Sequence, residues 1–200
     1  MKRWFASALV LSALFPVLFL ITAPAVAADV NLNVYPYSFR KMSDGDLWED
    51  VEDQYAIGGM VDMGAKGSPL HFVVGLHTGV GVEDFSNVLL NEVLATTSEL
   101  SFGMTGVWHH NRTCPFVSFG VSFVHAELEF DTPGGTAKDD DAALGFFLEG
   151  GVYWRLSPHF NLGFYGRALG GTSIELFGAD GDVDYWQAGP MIGWSWPARS

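Results

Sequence analysis

The chain has 200 residues, a formal net charge of −13, 24 glycines, 14% aromatic residues and one cysteine. So acidic a balance excludes nucleic-acid binding, which needs a basic face. The lone Cys114 excludes a disulfide-stapled scaffold, and with proline next to it, it reads as apolar filler, not a nucleophile.

Lys2 and Arg3 precede a nearly continuous apolar stretch from Ala6 to Ile21, followed by the small residues Ala25-Val26-Ala27. That three-part order is a secretory signal peptide spanning 1–28, with cleavage between Ala27 and Asp29. The stretch is long for a signal, so an uncleaved helical anchor is the alternative. Pro16 and the small residues favour cleavage. Beyond residue 28 no apolar run approaches the ~18 residues of a spanning helix. The remaining domain, 29–200, can enter a membrane only as strands, and its length suits eight tilted strands of ~10 residues.

Period-2 counting then places the strands. The first, Val30 to Phe39, is the weakest, because Pro36 interrupts it and both faces carry large residues. The second, Gln54 to Gly64, turns Tyr55, Ile57, Val61 and Met63 outward. The third, Leu70 to Gly81, sets Leu70, Phe72, Val74, Leu76 and Val80 against His71, Gly75, His77 and Gly79. In the fourth, Leu100, Phe102, Met104 and Trp108 oppose Ser101, Gly103 and Thr105. The fifth sets Val117, Phe119, Val121 and Phe123 against Ser118, Gly120 and Ser122. The sixth sets Leu144, Phe146, Leu148, Val152 and Trp154 against Gly145, Glu149, Gly151 and Arg155. In the seventh, Phe160, Leu162 and Phe164 oppose Asn161, Gly163 and Arg167. The last carries Trp186, Ala188, Pro190, Ile192, Trp194 and Trp196 on one face. In lipid, a bulky face belongs on the outside of a closed barrel and the alternate residues fill the lumen. A soluble β-sandwich with core aromatics is the competing architecture.

Connector lengths alternate. Short ones fall at Lys66 to Pro69, His110 to Thr113 and Ser157 to His159. Long ones cover Arg40 to Asp53, Val82 to Thr97, Asp131 to Asp141 and Gly170 to Asp182. Short turns belong on the periplasmic side and long loops outside. The expected fold is thus an all-β, eight-stranded antiparallel up-and-down transmembrane barrel. Trp108, Trp154, Trp194 and Trp196 then form a periplasmic aromatic girdle, and Tyr185 with Trp186 marks the opposite rim.

Most acidic residues lie in or beside the long connectors. Asp139-Asp140-Asp141 reads as a solvated, disordered loop, with loose bridging to lipopolysaccharide by divalent cations as the functional alternative. No cofactor motif and no dedicated metal site is present; His109-His110 could hold a metal only adventitiously. Inside the lumen, Glu149 precedes Pro158 by as many residues as Arg167 follows it. The two are therefore expected to pair across a hairpin, because an isolated buried charge costs several kcal/mol. Glu99, Arg155, Gln187, Tyr165 and His77 join them in a polar network, structural in preference to conductive, filling a lumen just wide enough for side chains.

Leader, alternating strands, loop rhythm and aromatic last strand together resemble the small outer-membrane β-barrels, a family that includes opacity-protein-like surface antigens and the membrane domain of outer membrane protein A. Ile192, Trp194 and Trp196 hold the alternating positions of that family's terminal insertion signal, although Pro197 to Ser200 follow where the family usually stops. The resemblance implies a Gram-negative outer-membrane location, recognition of the last strand by the barrel-assembly machinery, and contact with outer-membrane lipid. It implies a non-enzymatic envelope role, structural or loop-presenting. Two alternatives stand. A lipid A-modifying enzyme would use His125 with Glu127 and Glu129, although no serine is locally paired with His125. A narrow channel for small apolar molecules would open where Pro36 and Pro190 loosen the closing strands.

Overall fold

In a computed structural model, residues 28–84 and 92–196 are described; the expected signal peptide up to residue 27, residues 85–91 and the tail after Trp196 lie outside them. Eight long strands close into an antiparallel ring. They are β1 (Ala28–Met42), β2 (Asp53–Ala65), β3 (Leu70–Asp84), β4 (Glu92–Val107), β5 (Thr113–Thr132), β6 (Gly135–Arg155), β7 (Phe160–Gly170) and β10 (Tyr185–Trp196). Each pairs with its sequence neighbour, except that β7 meets β10 past a small hairpin, β8 (Ile174–Leu176) and β9 (Ala179–Gly181). The ring closes β10 onto β1. One four-residue helix, α1 (Gly45–Trp48), lies between β1 and β2.

Side-chain distribution is the inverse of a soluble protein. Phe72, Phe102, Phe119, Phe123, Leu144, Phe146, Leu148 and Phe164 stand exposed around the wall, Phe146 at 70%. The alternate positions turn Ser118, Ser122, Glu149 and Arg167 fully inside. Each of the eight strands has a hydrogen-bonded neighbour on both sides, so backbone polar groups of the wall are satisfied within the ring, as a hydrocarbon surround demands.

The first strand keeps this logic through a bulge. Tyr35 pairs with Gly58 but Ser38 with Ala56, one residue more on β1 than on β2. The extra residue, at Pro36-Tyr37, flips the alternation. Asp29, Asn31, Asn33 and Tyr35 face in before it, and Ser38, Arg40 and Met42 face in after it. Large residues on both faces of the sequence are thus one face seen in two phases. Pro190 lies in the same gap of the β1–β10 register. That seam is shut by backbone: a Cβ at Gly189 would lie 2.5 Å from the Tyr37 carbonyl oxygen, so only glycine permits the approach.

Two connectors differ from expectation. Asp131 to Asp141 is no loop: β5 and β6 stay paired to Thr132 and Gly135, with Asp139, Asp140 and Asp141 opposite Leu128, Glu127 and Ala126. Pro133-Gly134 makes the turn, closed by Thr132 Oγ1 donating to the Gly135 carbonyl at 2.7 Å. A Lys138–Glu127 ion pair at 2.6 Å offsets some of the acidic charge. The second long connector is also shorter, since β3 runs to Asp84 and β4 starts at Glu92.

Candidate functional site

Among the described residues, the lumen gathers charge out of solvent. Glu149 on β6 is the register partner of Arg167 on β7, and Arg167 Nη1 donates to Glu149 Oε2 at 3.2 Å. From the far wall, Glu99 on β4 accepts from Arg167 Nη2 and from the Tyr185 hydroxyl on β10. Ser101 and Ser122 also donate to Glu99, at 2.8 and 2.5 Å. Tyr35 on β1 donates to Glu149 at 2.7 Å. β10 and β4 lie four strands apart in an eight-strand ring, so the Tyr185–Glu99 bond spans the full diameter. The Arg167 guanidinium also rests 4.1 Å above the Phe147 ring. The two buried carboxylates and one guanidinium exhaust much of their hydrogen-bonding capacity on each other, which is what makes such charges tolerable inside.

Toward the long-loop end runs a second chain of contacts. Arg40 on β1 donates from Nε to Gln187 at 2.8 Å and from Nη1 to Thr97 at 2.5 Å, and it stacks 3.9 Å over the Tyr185 ring. Thr97 donates to Gln54 at 3.2 Å. Gln187 donates to Tyr165 at 2.7 Å and meets His77 Nδ1 at 3.3 Å. Toward the short-turn end, Asp62 on β2 sits 2.5 Å from His71 Nδ1 and accepts from Asn31 at 2.6 Å. His71 Nε2 lies 3.0 Å from the Ser68 carbonyl. Both ring nitrogens therefore face oxygen atoms.

Over the long-loop mouth lies a lid. Trp48 of α1 is completely buried, and its indole donates to the Asp182 carbonyl at 2.7 Å. Val51, Ile174, Leu176 and Val183 are buried with it in one cluster continuous with the lumen. Asp44 caps α1 and also accepts from the Asp182 amide at 3.0 Å, while Ser43 donates to the Asp184 carbonyl at 2.8 Å. β7 ends opposite Phe146, so β6 runs on beyond it with an uncovered edge. Asp139 and Asp141 clamp β8 there, accepting from the Phe177 and Glu175 amides at 2.6 and 2.9 Å. The Glu175 and Ala142 amides hold the Asp141 carboxyl below the usual carboxylate range. The acidic run is thus a docking edge, not a free loop.

Glu149, Arg167, Glu99, Gln187, Tyr165 and His77 all lie in the lumen. Arg155 does not join them: it sits at the short-turn rim and donates to the Asn111 carbonyl. Alternation sets its face correctly, but its height puts it past the wall. Tyr185 is likewise no rim residue, being buried against Glu99 and Arg167. Trp108, Trp154, Trp194 and Trp196 ring the short-turn end with outward-facing side chains, Trp194 edge-on to Phe160. Trp186 packs at a tilt against Phe39 at the other end. Cys114 is buried.

On the outer face, His125 has a serine after all. The β4–β5 register places Ser98 directly opposite it, a pairing sequence distance conceals, and Asp140 Oδ2 lies 3.9 Å from His125 Nε2. Glu127 is taken by Lys138. Among the described residues, no group of three or more His, Cys, Asp or Glu side chains is arranged to hold a metal. Sequence reasoning also missed Arg40, Tyr35, Asp62 and His71. Alternation in strands two and three did signal the last two, since Asp62 and His71 occupy inward positions.

No family model matches the sequence, and no curated protein matches it significantly. Solved structures do. OprG from Pseudomonas aeruginosa, an outer membrane protein, superposes with a TM-score of 0.59 at 12% identity, covering 85% of this chain and 96% of that one. Ail, the attachment invasion locus protein of Yersinia pestis, solved with the heparin analogue sucrose octasulfate, gives 0.55 at 10% identity over 85% and 99%. Neisserial surface protein A gives 0.54 at 12% identity over 84% and 96%. With its closed eight-strand ring and apolar exterior, the chain has the fold of the small outer-membrane β-barrels.

Proposed function

We propose that this protein is a non-enzymatic outer-membrane β-barrel of a Gram-negative-type cell envelope, exported by its leader and sealed against solute flow. The observation that carries this reading is the diameter-spanning hydrogen bonding of Tyr185, Glu99 and Arg167, set inside a phenylalanine-rich exterior. An eight-stranded barrel is just wide enough for side chains to fill, and these fill it. The tryptophans at the short-turn end suit the periplasmic interface, where an amphipathic indole is most stable. Lid and hairpin then face outward, offering an acidic surface to partners or, through divalent cations, to lipopolysaccharide. Ile192, Trp194 and Trp196 present the last strand to the assembly machinery. Planar-bilayer recording of the purified protein tests the sealed lumen: the expected trace has no discrete openings, and stepwise conductance contradicts it.

A second reading rests on the Ser98–His125–Asp140 row, whose residue types are those of an acyl hydrolase. It ranks second because 3.9 Å exceeds hydrogen-bond reach and the surrounding strands are paired on both sides. Lipid A mass spectra with and without expression separate the readings: lost acyl chains that return on Ser98→Ala would establish the enzyme.

A further inference from the structure

Among the described residues, accessible charge sorts by sign between the two ends of the barrel. At the long-loop end Asp46, Glu49, Asp50, Asp53, Asp131 and Asp180 stand exposed. The lysines there, Lys41 and Lys138, are each ion-paired at 2.6 Å, to Glu52 and Glu127. The short-turn end is the reverse. Lys66 and Arg112 are exposed and Arg155 is half-buried, and none of the described ion pairs includes any of them. The described carboxylates at this end, Asp29 and Asp62, are buried. Asp29 accepts from the Gly67 amide at 3.0 Å, and Asp62 is bonded to Asn31 and His71. No exposed carboxylate among the described residues answers the three cations.

Two of these cations are held on one rigid corner. His110 and Thr113 exchange backbone bonds of 2.9 and 3.0 Å around a two-residue turn. Its first residue, Asn111, takes φ 56°, which leaves Arg112 at the tip. The turn is pinned to the neighbouring hairpin: the Arg155 amide donates to the Arg112 carbonyl at 2.9 Å, and the Arg155 guanidinium donates to the Asn111 carbonyl. A bond to a neutral carbonyl leaves the charge of Arg155 uncompensated. Arg155 also follows directly on outward-facing Trp154, and exposed Leu156 comes next. The indoles of Trp108, Trp154, Trp194 and Trp196 favour the boundary between hydrocarbon and headgroups. The cations lie just beyond that boundary, at the depth of lipid phosphates.

We propose that this rim selects anionic phospholipid, of phosphatidylglycerol type, from the leaflet it meets. The inference rests on the membrane reading above and adds to it a lipid class and a side. A guanidinium matches a phosphate oxygen pair in shape as well as charge, and the tryptophans and Leu156 beside it suit the upper acyl chain. A zwitterionic lipid brings an ammonium group as well, and the rim offers that group no exposed carboxylate. At the long-loop end the lysines are already neutralised and acidic side chains predominate, so the preference belongs to one face of the membrane.

The test is electron spin resonance of the full-length barrel reconstituted in phosphatidylcholine bilayers, with nitroxide-labelled phosphatidylglycerol or phosphatidylcholine added in trace amounts. Lipid touching the wall gives a motionally restricted component, and its size for the two labels gives their relative association. A ratio of ~2–4 in favour of phosphatidylglycerol is expected at low salt, falling to about 1 in ~1 M sodium chloride. Arg112→Gln with Arg155→Gln should bring the low-salt ratio close to unity, while Lys138→Gln at the other end keeps it. Equal restriction of both lipids by the wild type overturns this inference and leaves the lipid-facing wall standing. Absence of any restricted component sinks the wall and the inference together. An undiminished ratio in the double variant also overturns it. Should that variant fail to fold, the salt titration of the wild type decides: a preference unchanged in concentrated salt is not made by these cations.

Discussion

Around Arg167, side chains from six strands meet through charged hydrogen bonds with almost no apolar contribution except the Phe147 ring. Over the mouth the balance is reversed: Trp48, Val51, Leu176 and Val183 bury against each other, and hydrogen bonds only tie down the margin. The first region is held by groups that have nowhere else to go, since unpairing any of them leaves a charge inside a barrel. The second is held by surface that can return to water. The two closures should therefore fail differently, one with the whole barrel and the other by local opening.

The largest effect is expected at the centre. Arg167→Leu leaves Glu99 and Glu149 facing each other without their cation, and removing one partner of a buried ion pair costs about 3–5 kcal/mol. The urea midpoint in detergent should fall accordingly; an unchanged midpoint would show that the pairing contributes nothing. Trp48→Ala removes a fully buried indole, a change that costs about 3–5 kcal/mol in a packed core. Here the loss should appear as faster proteolysis between residues 171 and 184, with the urea midpoint of the barrel nearly unmoved. A collapse of the whole barrel on Trp48→Ala would erase the distinction between the two regions.

Smaller still is the clamp on β8. Asp139→Ala with Asp141→Ala should raise amide hydrogen exchange at Glu175 and Phe177 without changing exchange in β4 or β5. Acid should do part of the same work. Bonds from the Glu175 and Ala142 amides depress the Asp141 carboxyl below its ordinary 3.8. A depressed folded-state value makes its contribution complete above 3.8 and lost as pH drops through the lower folded value. Protection at Glu175 should thus hold from neutrality to about pH 4 and decline only in stronger acid. Loss of protection already near pH 6 would assign the clamp to another group.

The same contrast explains what could be read from the chain. In hydrocarbon, alternation is compulsory, so strand faces and the Glu149–Arg167 opposition about Pro158 were visible in spacing alone. Alternation reports a face but not a height, which is why Arg155 resembles a lumen residue and lies at the rim. It also assumes unbroken phase. The bulge at Pro36-Tyr37 shifts that phase, and Arg40, an inward charge, stayed hidden behind it. From Asp139 to Asp141, past the end of β7, no apolar residue alternates with the acidic ones, so a paired strand looks like a loop. The lid is built from three- and four-residue elements, and its two sides are joined by contacts more than a hundred residues apart, such as Trp48 with Asp182. No local pattern encodes such a contact.

Everything here depends on acyl chains covering the phenylalanine-rich wall while the alternate side chains stay dry and paired within. Nitroxide labels placed singly at Phe119 and Phe146, in protein reconstituted into bilayers, measure this by collision with oxygen and with a water-soluble nickel chelate. High oxygen and low nickel accessibility at both sites is the expected result. Strong nickel accessibility, or immobilised labels shielded from both reagents as in a protein core, would contradict a lipid-facing exterior.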